Sequence, residues 1–236
     1  MYRKARSAVC IFLLTSLLLL AACNDNSSKA STPTAQQLIS KAQDAIKRVK
    51  SYHFTLTTDN PGTSNSSTLS IRAADGDIQV PDRLKALASA LALGFAVKVN
   101  IIAIGDKQYY TDPITGKWAT TANLLDPRTL ADPQSGVAAI LGHIQNPSKP
   151  TDGSVAGTAC WSIDGKLDTQ YLAGITGGST QAGTTVDTTT CIGKSDNLPY
   201  QIRIKGIALQ GDTTKTIRTF TLSKFNEPLN ILAPSV

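Results

Sequence analysis

Phe95-Ala-Val-Lys-Val-Asn-Ile-Ile-Ala-Ile104 is ten residues of strand-forming sequence. Phe95, Val97, Val99, Ile101 and Ala103 fall on one face at a period of two, and Lys98 and Asn100 on the other. A strand of this length with one apolar face needs a sheet around it and a cover over it. Gly105-Asp106 turns the chain into Lys107-Gln-Tyr-Tyr-Thr111, and Asp112 to Lys117 turns it again before Trp118. The same alternation runs upstream, where Tyr52, Phe54 and Leu56 point one way and His53, Thr55 and Thr57 the other. Asn60-Pro61-Gly62 reads as a turn, Leu69, Ile71 and Ala73 as a second strand, and Asp75-Gly76 as a further turn. Alternation returns at 158–163, and Tyr200–Leu209 and Lys215–Leu222 read as a hairpin around Gly211-Asp212. Thr176 to Thr190, nearly all Gly, Thr and Ser, reads as a loop.

Helical spacing appears between these strands. Thr34 and Gln37 make a capping box, and Leu38, Ile39, Ala42, Ala45, Ile46 and Val49 share the face of a helix over 35–50. Pro81 opens a short amphipathic stretch with Leu84, Leu87, Leu91 and Ala88 on one side. Asp132-Pro133 reads as an N-cap and first helical residue, followed by an apolar face of Val137, Ile140, Leu141 and Ile144. A further helix is expected from Leu167 to Ile175. A large antiparallel sheet with roughly four helices and no strict βαβ alternation is class α+β.

The N-terminus has a different logic. Arg3, Lys4 and Arg6 precede an apolar run from Ala8 to Ala22, too short to span a bilayer comfortably, which takes about 20 residues. It closes on Leu20-Ala21-Ala22-Cys23. A basic patch, a short apolar core and small residues before a cleavage point make residues 1–22 a secretory signal peptide. Leu-Ala-Ala-Cys fits the lipobox of bacterial lipoproteins. That resemblance implies a diacylglycerol on the Cys23 thiol and a palmitate-like acyl chain on its freed amine. Residues 23–33 are then the lipidated cysteine and a polar tether, of which Asn24–Pro33 spans roughly 17 Å as a coil. Residues 34–236, about 200 residues, suit one domain or two small ones, expected on the extracytoplasmic face of the cell membrane and held there by lipid.

Charge and cysteines narrow the function. Loss of residues 1–22 removes three of the 23 basic residues and none of the 17 acidic ones, leaving a net charge near +3. With no block of like charge, nucleic acid is not an expected partner. Cys10 leaves with the signal peptide and Cys23 is taken by lipid, so Cys160 and Cys191 remain to form one disulfide in an oxidising compartment. No Cys-x-x-Cys occurs, and neither His53 nor His143 lies near either cysteine, so no metal site is expected. There is no nucleophile elbow, phosphate loop, Gly-x-Gly-x-x-Gly or His-Glu-x-x-His. His53 falls on the polar side of its strand and reads as exposed, and His143 ends a helix whose dipole suits a cation. No enzyme activity and no cofactor are expected. The remaining chemistry is apolar.

Three motifs, in order along the chain, carry a resemblance. Ser51-Tyr52-His53-Phe54 follows the lipobox, tether and helix. Asp126-Pro127-x-x-x-x-x-Pro133-x-x-Gly136-Val137 precedes an aliphatic helix. Leu222-Ser-Lys-Phe-Asn-Glu-Pro-Leu-Asn230 lies near the end. Together they resemble the LppX, LprA, LprF and LprG lipoproteins of actinobacteria, whose shape is similar to the Lol carriers. The resemblance implies a U-shaped half-barrel, a curved antiparallel sheet with helices on its concave face around a hydrophobic cavity. It also implies an acylated lipid or glycolipid as ligand, carried within the cell envelope, with an envelope lipid transporter as a possible partner. The expected lining is Leu84, Leu87 and Leu91; Phe95, Val97, Val99 and Ile101; Val137, Ile140, Leu141 and Ile144; and Ile163, Leu167, Tyr171 and Ile175. The cysteines are not part of that family pattern. Paired, they would staple the Thr/Gly-rich loop to a strand near the cavity opening, as a restrained lid. The competing reading is a surface structural or binding lipoprotein with a closed core and no lipid cargo.

Overall fold

The computed structural model describes residues 32–62, 70–92, 95–121, 136–172, 180 and 183–236. Cys23, Ile175 and the Asp126–Pro133 motif lie outside them. Eleven strands form one open, curved sheet in which every neighbouring pair is antiparallel. They are β1 (Ser51–Asp59), β2 (Ser70–Gln79), β3 (Arg83–Ala92), β4 (Phe95–Ile104), β5 (Lys107–Thr111), β6 (Trp118–Thr121), β7 (Thr151–Val155), β8 (Thr158–Asp168), β9 (Thr185–Gly193), β10 (Pro199–Lys205) and β11 (Ile217–Ser223). The order β6-β5-β4-β3-β2-β1-β11-β10-β9-β8-β7 is two meanders joined where the first strand pairs with the last. Phe54 lies opposite Leu222 and Leu56 opposite Phe220 across that seam.

Two α-helices and one 3-10 turn are present among the described residues: α1 (Ala35–Ile46), α2 (Val137–Gly142) and the turn Thr169–Leu172. The expected capping box is formed. The Gln37 amide N–H donates to the Thr34 hydroxyl at 3.3 Å, and the Gln37 side-chain carbonyl accepts from the Thr34 N–H at 3.0 Å. The helix buries Leu38, Ile39, Ala42, Ala45 and Ile46. It packs against α2 at close range. A Cβ on Gly142 would lie 2.3 Å from Nε2 of Gln43, whose amide donates to the Ala138 carbonyl at 3.0 Å. No helix among the described residues is long and apolar enough to cross a membrane.

Four sequence expectations are corrected. The stretch after Pro81 is not a helix but strand β3, paired along its length with β2 and β4. Asp75-Gly76 is not a turn but the middle of β2, where glycine is required because a Cβ would lie 2.6 Å from that of Ala86. Leu167 lies in strand β8, which ends at Asp168, and only the short 3-10 turn follows it before residue 173. The expected loop through Thr190 becomes strand β9 from Thr185, because β-branched Thr and Val suit a pleated surface. In addition, α2 begins only at Val137, with Gly136 as its N-cap.

The C-terminal segment ties the sheet from outside. Lys224 and Asn226 adopt positive φ, turning the chain back past the start of β1. There the Lys50 N–H donates to the Asn226 side chain at 2.8 Å, and the Ser51 hydroxyl donates to the Glu227 carbonyl at 2.5 Å. The segment reaches Arg83, which donates to the Ile231 carbonyl at 2.7 Å. Ile231 is then buried with Ile102 and Tyr109.

Candidate functional site

The face of the sheet against α1 and α2, here the inner face, is built by register. One row runs Val99, Ala88, Ala74, Leu56, Phe220, Ile202, Thr190, Ile163 across eight consecutive strands from β4 to β8. At about 4.8 Å per strand spacing, this row follows the sheet for roughly 34 Å. A second row runs Tyr110, Ile101, Ala86, Gly76, Phe54, Leu222. The two rows carry no ionisable group except the Tyr110 phenol.

The face has two textures. On β1 and β8–β11 it carries Phe54, Ile163, Ile202, Phe220 and Leu222, with the Phe54 and Phe220 rings 5.5 Å apart. On β2 and β3, beyond Ile78 and Leu84 at one end, it carries Gly76, Ala86, Ala88 and Ala90, all small and all out of water. The alanines are hidden in Lys85-Ala-Leu-Ala-Ser-Ala-Leu-Ala92, where the leucines draw a helical spacing. The signal that finds them is the alanine at every second position.

Polar groups on this face are few. Thr188 and Thr190 are buried, and their hydroxyls have no hydrogen-bond partner. Burial pushes the Tyr52 phenol well above its ordinary range. At one end, Arg218 meets Asp212 through two contacts of 2.5 and 2.7 Å, with side chains only 5% and 4% exposed. The carboxylate oxygen of the 2.5 Å contact, Oδ2, also accepts from the Ala208 and Leu209 N–H groups at 3.0 and 2.8 Å.

The expected lining residues divide. Leu84, Val99, Ile101, Ile163 and Leu167 are buried on the inner face, and Val97 is half-buried there. Val137, Ile140 and Leu141 are buried on α2. Ile144 packs over Gly165, where an added Cβ would lie 2.4 Å from its Cγ2. Tyr171 is half-buried and stacks on exposed His143 at 3.6 Å between ring centroids. Leu87 and Leu91 do not belong to the set, because a strand sends them to the opposite face from Leu84; Leu87 is 42% exposed. Phe95 shares the inner parity but is 74% exposed. His53 is corrected too. It is half-buried on the outer face between Asp77 at 2.9 Å and Asp75 at 3.5 Å. Among the described residues there is no cluster suited to a metal ion.

The sequence matches the family model for the LppX_LprAFG lipoproteins over residues 34–231. The chain belongs to that family. This LppX_LprAFG lipoprotein is 23% identical to the lipoarabinomannan carrier protein LprG of Mycolicibacterium smegmatis, over 99% of this chain and 98% of that protein. It is 24% identical to the putative diacylated glycolipid transporter LprF of Mycobacterium bovis, over 70% and 67% of the two chains. Its fold matches the crystal structure of Mycobacterium bovis LprF with a TM-score of 0.68 at 20% identity, over 86% of this chain and 97% of that one. The match to Mycobacterium tuberculosis LppX has a TM-score of 0.59 at 22% identity, over 84% and 97%.

In this LppX_LprAFG lipoprotein, Cys160 and Cys191 form a disulfide with a Cα–Cα distance of 5.5 Å. It does not staple a loop to a strand. It joins adjacent strands β8 and β9, and both sulfurs sit on the outer face because Ile163 and Ile192 have the opposite parity. The expectation of a restrained lid near a cavity opening therefore does not hold.

Proposed function

We propose that this chain is a non-enzymatic lipid carrier, anchored through lipid on Cys23 to the extracytoplasmic face of the cell membrane. Its ligand is an acylated lipid or glycolipid, held on the inner face of the sheet and moved within the cell envelope. The row from Val99 to Ile163 carries this reading: eight strands of surface, buried at every position but half-buried Ala74, with one hydroxyl and no charge. An acyl chain moved from water onto such a surface gains about 0.8 kcal/mol per CH₂. The alanines of β3 leave depth above the sheet where bulkier side chains would fill it. The functions named for LprG and LprF support the same class of ligand. Residues 34–236 would act as one lipid-binding domain on the tether 23–33.

Two experiments test the parts separately. Feeding cells a clickable palmitate analogue should label the wild-type chain and fail to label Cys23→Ala; labelling that survives the substitution contradicts the anchor. Organic extracts of the purified protein should contain acylated lipid near one molecule per chain. Ala88→Phe, which fills the inner face, should lower that content severalfold at a stability cost of about 1–3 kcal/mol. Ser89→Phe, on the outer face, should leave it unchanged. Lipid-free wild-type protein would favour a closed core with no cargo.

A further inference from the structure

The strand directions sort the connections of the sheet into two ends. The links β3–β4, β5–β6 and β10–β11 lie at one end, and β2–β3, β4–β5, β7–β8 and β9–β10 at the other. Large exposed apolar side chains in these links follow this division. Phe95 starts β4 at the β3–β4 hairpin and is 74% exposed, Ile114 in the β5–β6 turn is 92% exposed, and Ile207 in the β10–β11 loop is 46% exposed. The opposite end has Asp82, Gly105-Asp106, Ala156-Gly157 and Lys194–Asn197 in its turns, none of them a large apolar residue; the C-terminal segment also passes this end, where Ile231 is bonded to Gln79 and Arg83, and carries Leu232, 62% exposed. The remaining exposed apolar residues are Leu87 on the outer face and Leu232 and Val236 in the C-terminal segment.

The turn that presents Ile114 is held firmly. The Asp112 carboxylate accepts from the Ile114 and Thr115 N–H groups at 2.9 and 2.8 Å. Gly116, at φ 70°, donates its N–H to the Asp112 carbonyl, and the Asp112 N–H donates to the Lys117 carbonyl, both at 2.8 Å. A small rigid turn thus fixes an isoleucine in water at its apex. Charge at this end points the same way. Lys98, Lys117, Lys205 and Lys215 are exposed beside the three apolar sites. Of the carboxylates nearby, Asp212 is taken by Arg218, Asp187 by Lys166, Asp112 by its turn and Asp168 by the Gln170 and Gly183 N–H groups, while Asp59 at the end of β1 is exposed. Apolar tips with lysines a few residues away match a bilayer interface, where the tips enter and the long side chains reach back to head groups.

We propose that this end of the sheet docks on an anionic lipid bilayer, with Phe95, Ile114 and Ile207 inserting and the four lysines meeting the head groups. The inference rests on the carrier reading and adds its geometry: the sheet stands end-on to the membrane, so the inner face opens toward the lipids it exchanges.

Depth-dependent fluorescence quenching tests this on the intact lipoprotein reconstituted into phosphatidylcholine–phosphatidylglycerol vesicles with brominated acyl chains. After subtraction of the signal from Trp118 and Trp161, tryptophan at Phe95→Trp and Ile114→Trp should be quenched, and at Asp106→Trp on the opposite end should not. Phe95→Ser/Ile114→Ser/Ile207→Ser should weaken binding to added vesicles by at least about tenfold, since each side chain gives up partial apolar burial. No quenching at positions 95 and 114, or equal quenching at 106, overturns the proposal, including the case in which these tips meet a protein instead. Lipid extracted from the same preparations separates the two readings. Cargo without tip quenching overturns docking alone, and tip quenching without cargo overturns the carrier alone.

Discussion

Asp212→Ala lowers the unfolding free energy by about 3–5 kcal/mol, because removing one member of a buried ion pair leaves the other charged and unpartnered. Arg218 projects from β11 onto the inner face and is 5% exposed, so water cannot replace the lost carboxylate. The same substitution frees the Ala208 and Leu209 N–H groups, which hold the β10–β11 loop against the sheet. Asp187→Ala is the matched control. Its pair with Lys166 is equally short at 2.5 Å, but the side chains are 59% and 53% exposed, and solvent screens it to almost nothing. Chemical denaturation of the three proteins should place wild type and Asp187→Ala together, with Asp212→Ala far below.

The second large effect is on the disulfide. Cys160→Ser/Cys191→Ser removes a cross-link closing 31 residues of chain, worth about 3–4 kcal/mol in the chain-entropy model. Lipid content should not change, because both sulfurs lie on the outer face of β8 and β9. A denaturation curve gives the first quantity and an organic extract the second. Loss of lipid from a variant that remains folded would show that the outer face governs access to the inner one.

The strongest alternations are legible in the amino-acid sequence itself. Tyr52-His-Phe-Thr-Leu56 and Val97–Ala103 have one apolar face each, and they fold as strands with those faces inward. The capping box of Thr34 and Gln37 is equally clear, since its chemistry is local. β3 reads as a helix because alanine and leucine favour helix and the leucines fall at helical spacing. Pairing with β2 and β4 outweighs a propensity difference of a few tenths of a kcal/mol per residue. The helical reading puts Leu87 and Leu91 on the wrong face and passes over Ala86 and Ala90. β9 reads as a loop because threonine and glycine density resembles a linker. Its inward set, Val186, Thr188, Thr190 and Ile192, mixes hydroxyls with aliphatics and blurs the alternation. The seam between β1 and β11 joins residues more than 150 positions apart, beyond the reach of any local pattern. The side of the sheet that holds the disulfide follows only from the register of β8 against β9.

Photolabelling with a diacyl lipid bearing a diazirine near the end of one acyl chain asks whether such a chain lies on the inner face of this sheet. Digestion and mass spectrometry should place the label on inward residues of β1 to β4, such as Leu56, Ala86, Ala88, Val99 or Ile101. Label confined to outward positions such as Leu87 and Ile102, or absent at saturating probe, would rule out an acyl chain held there.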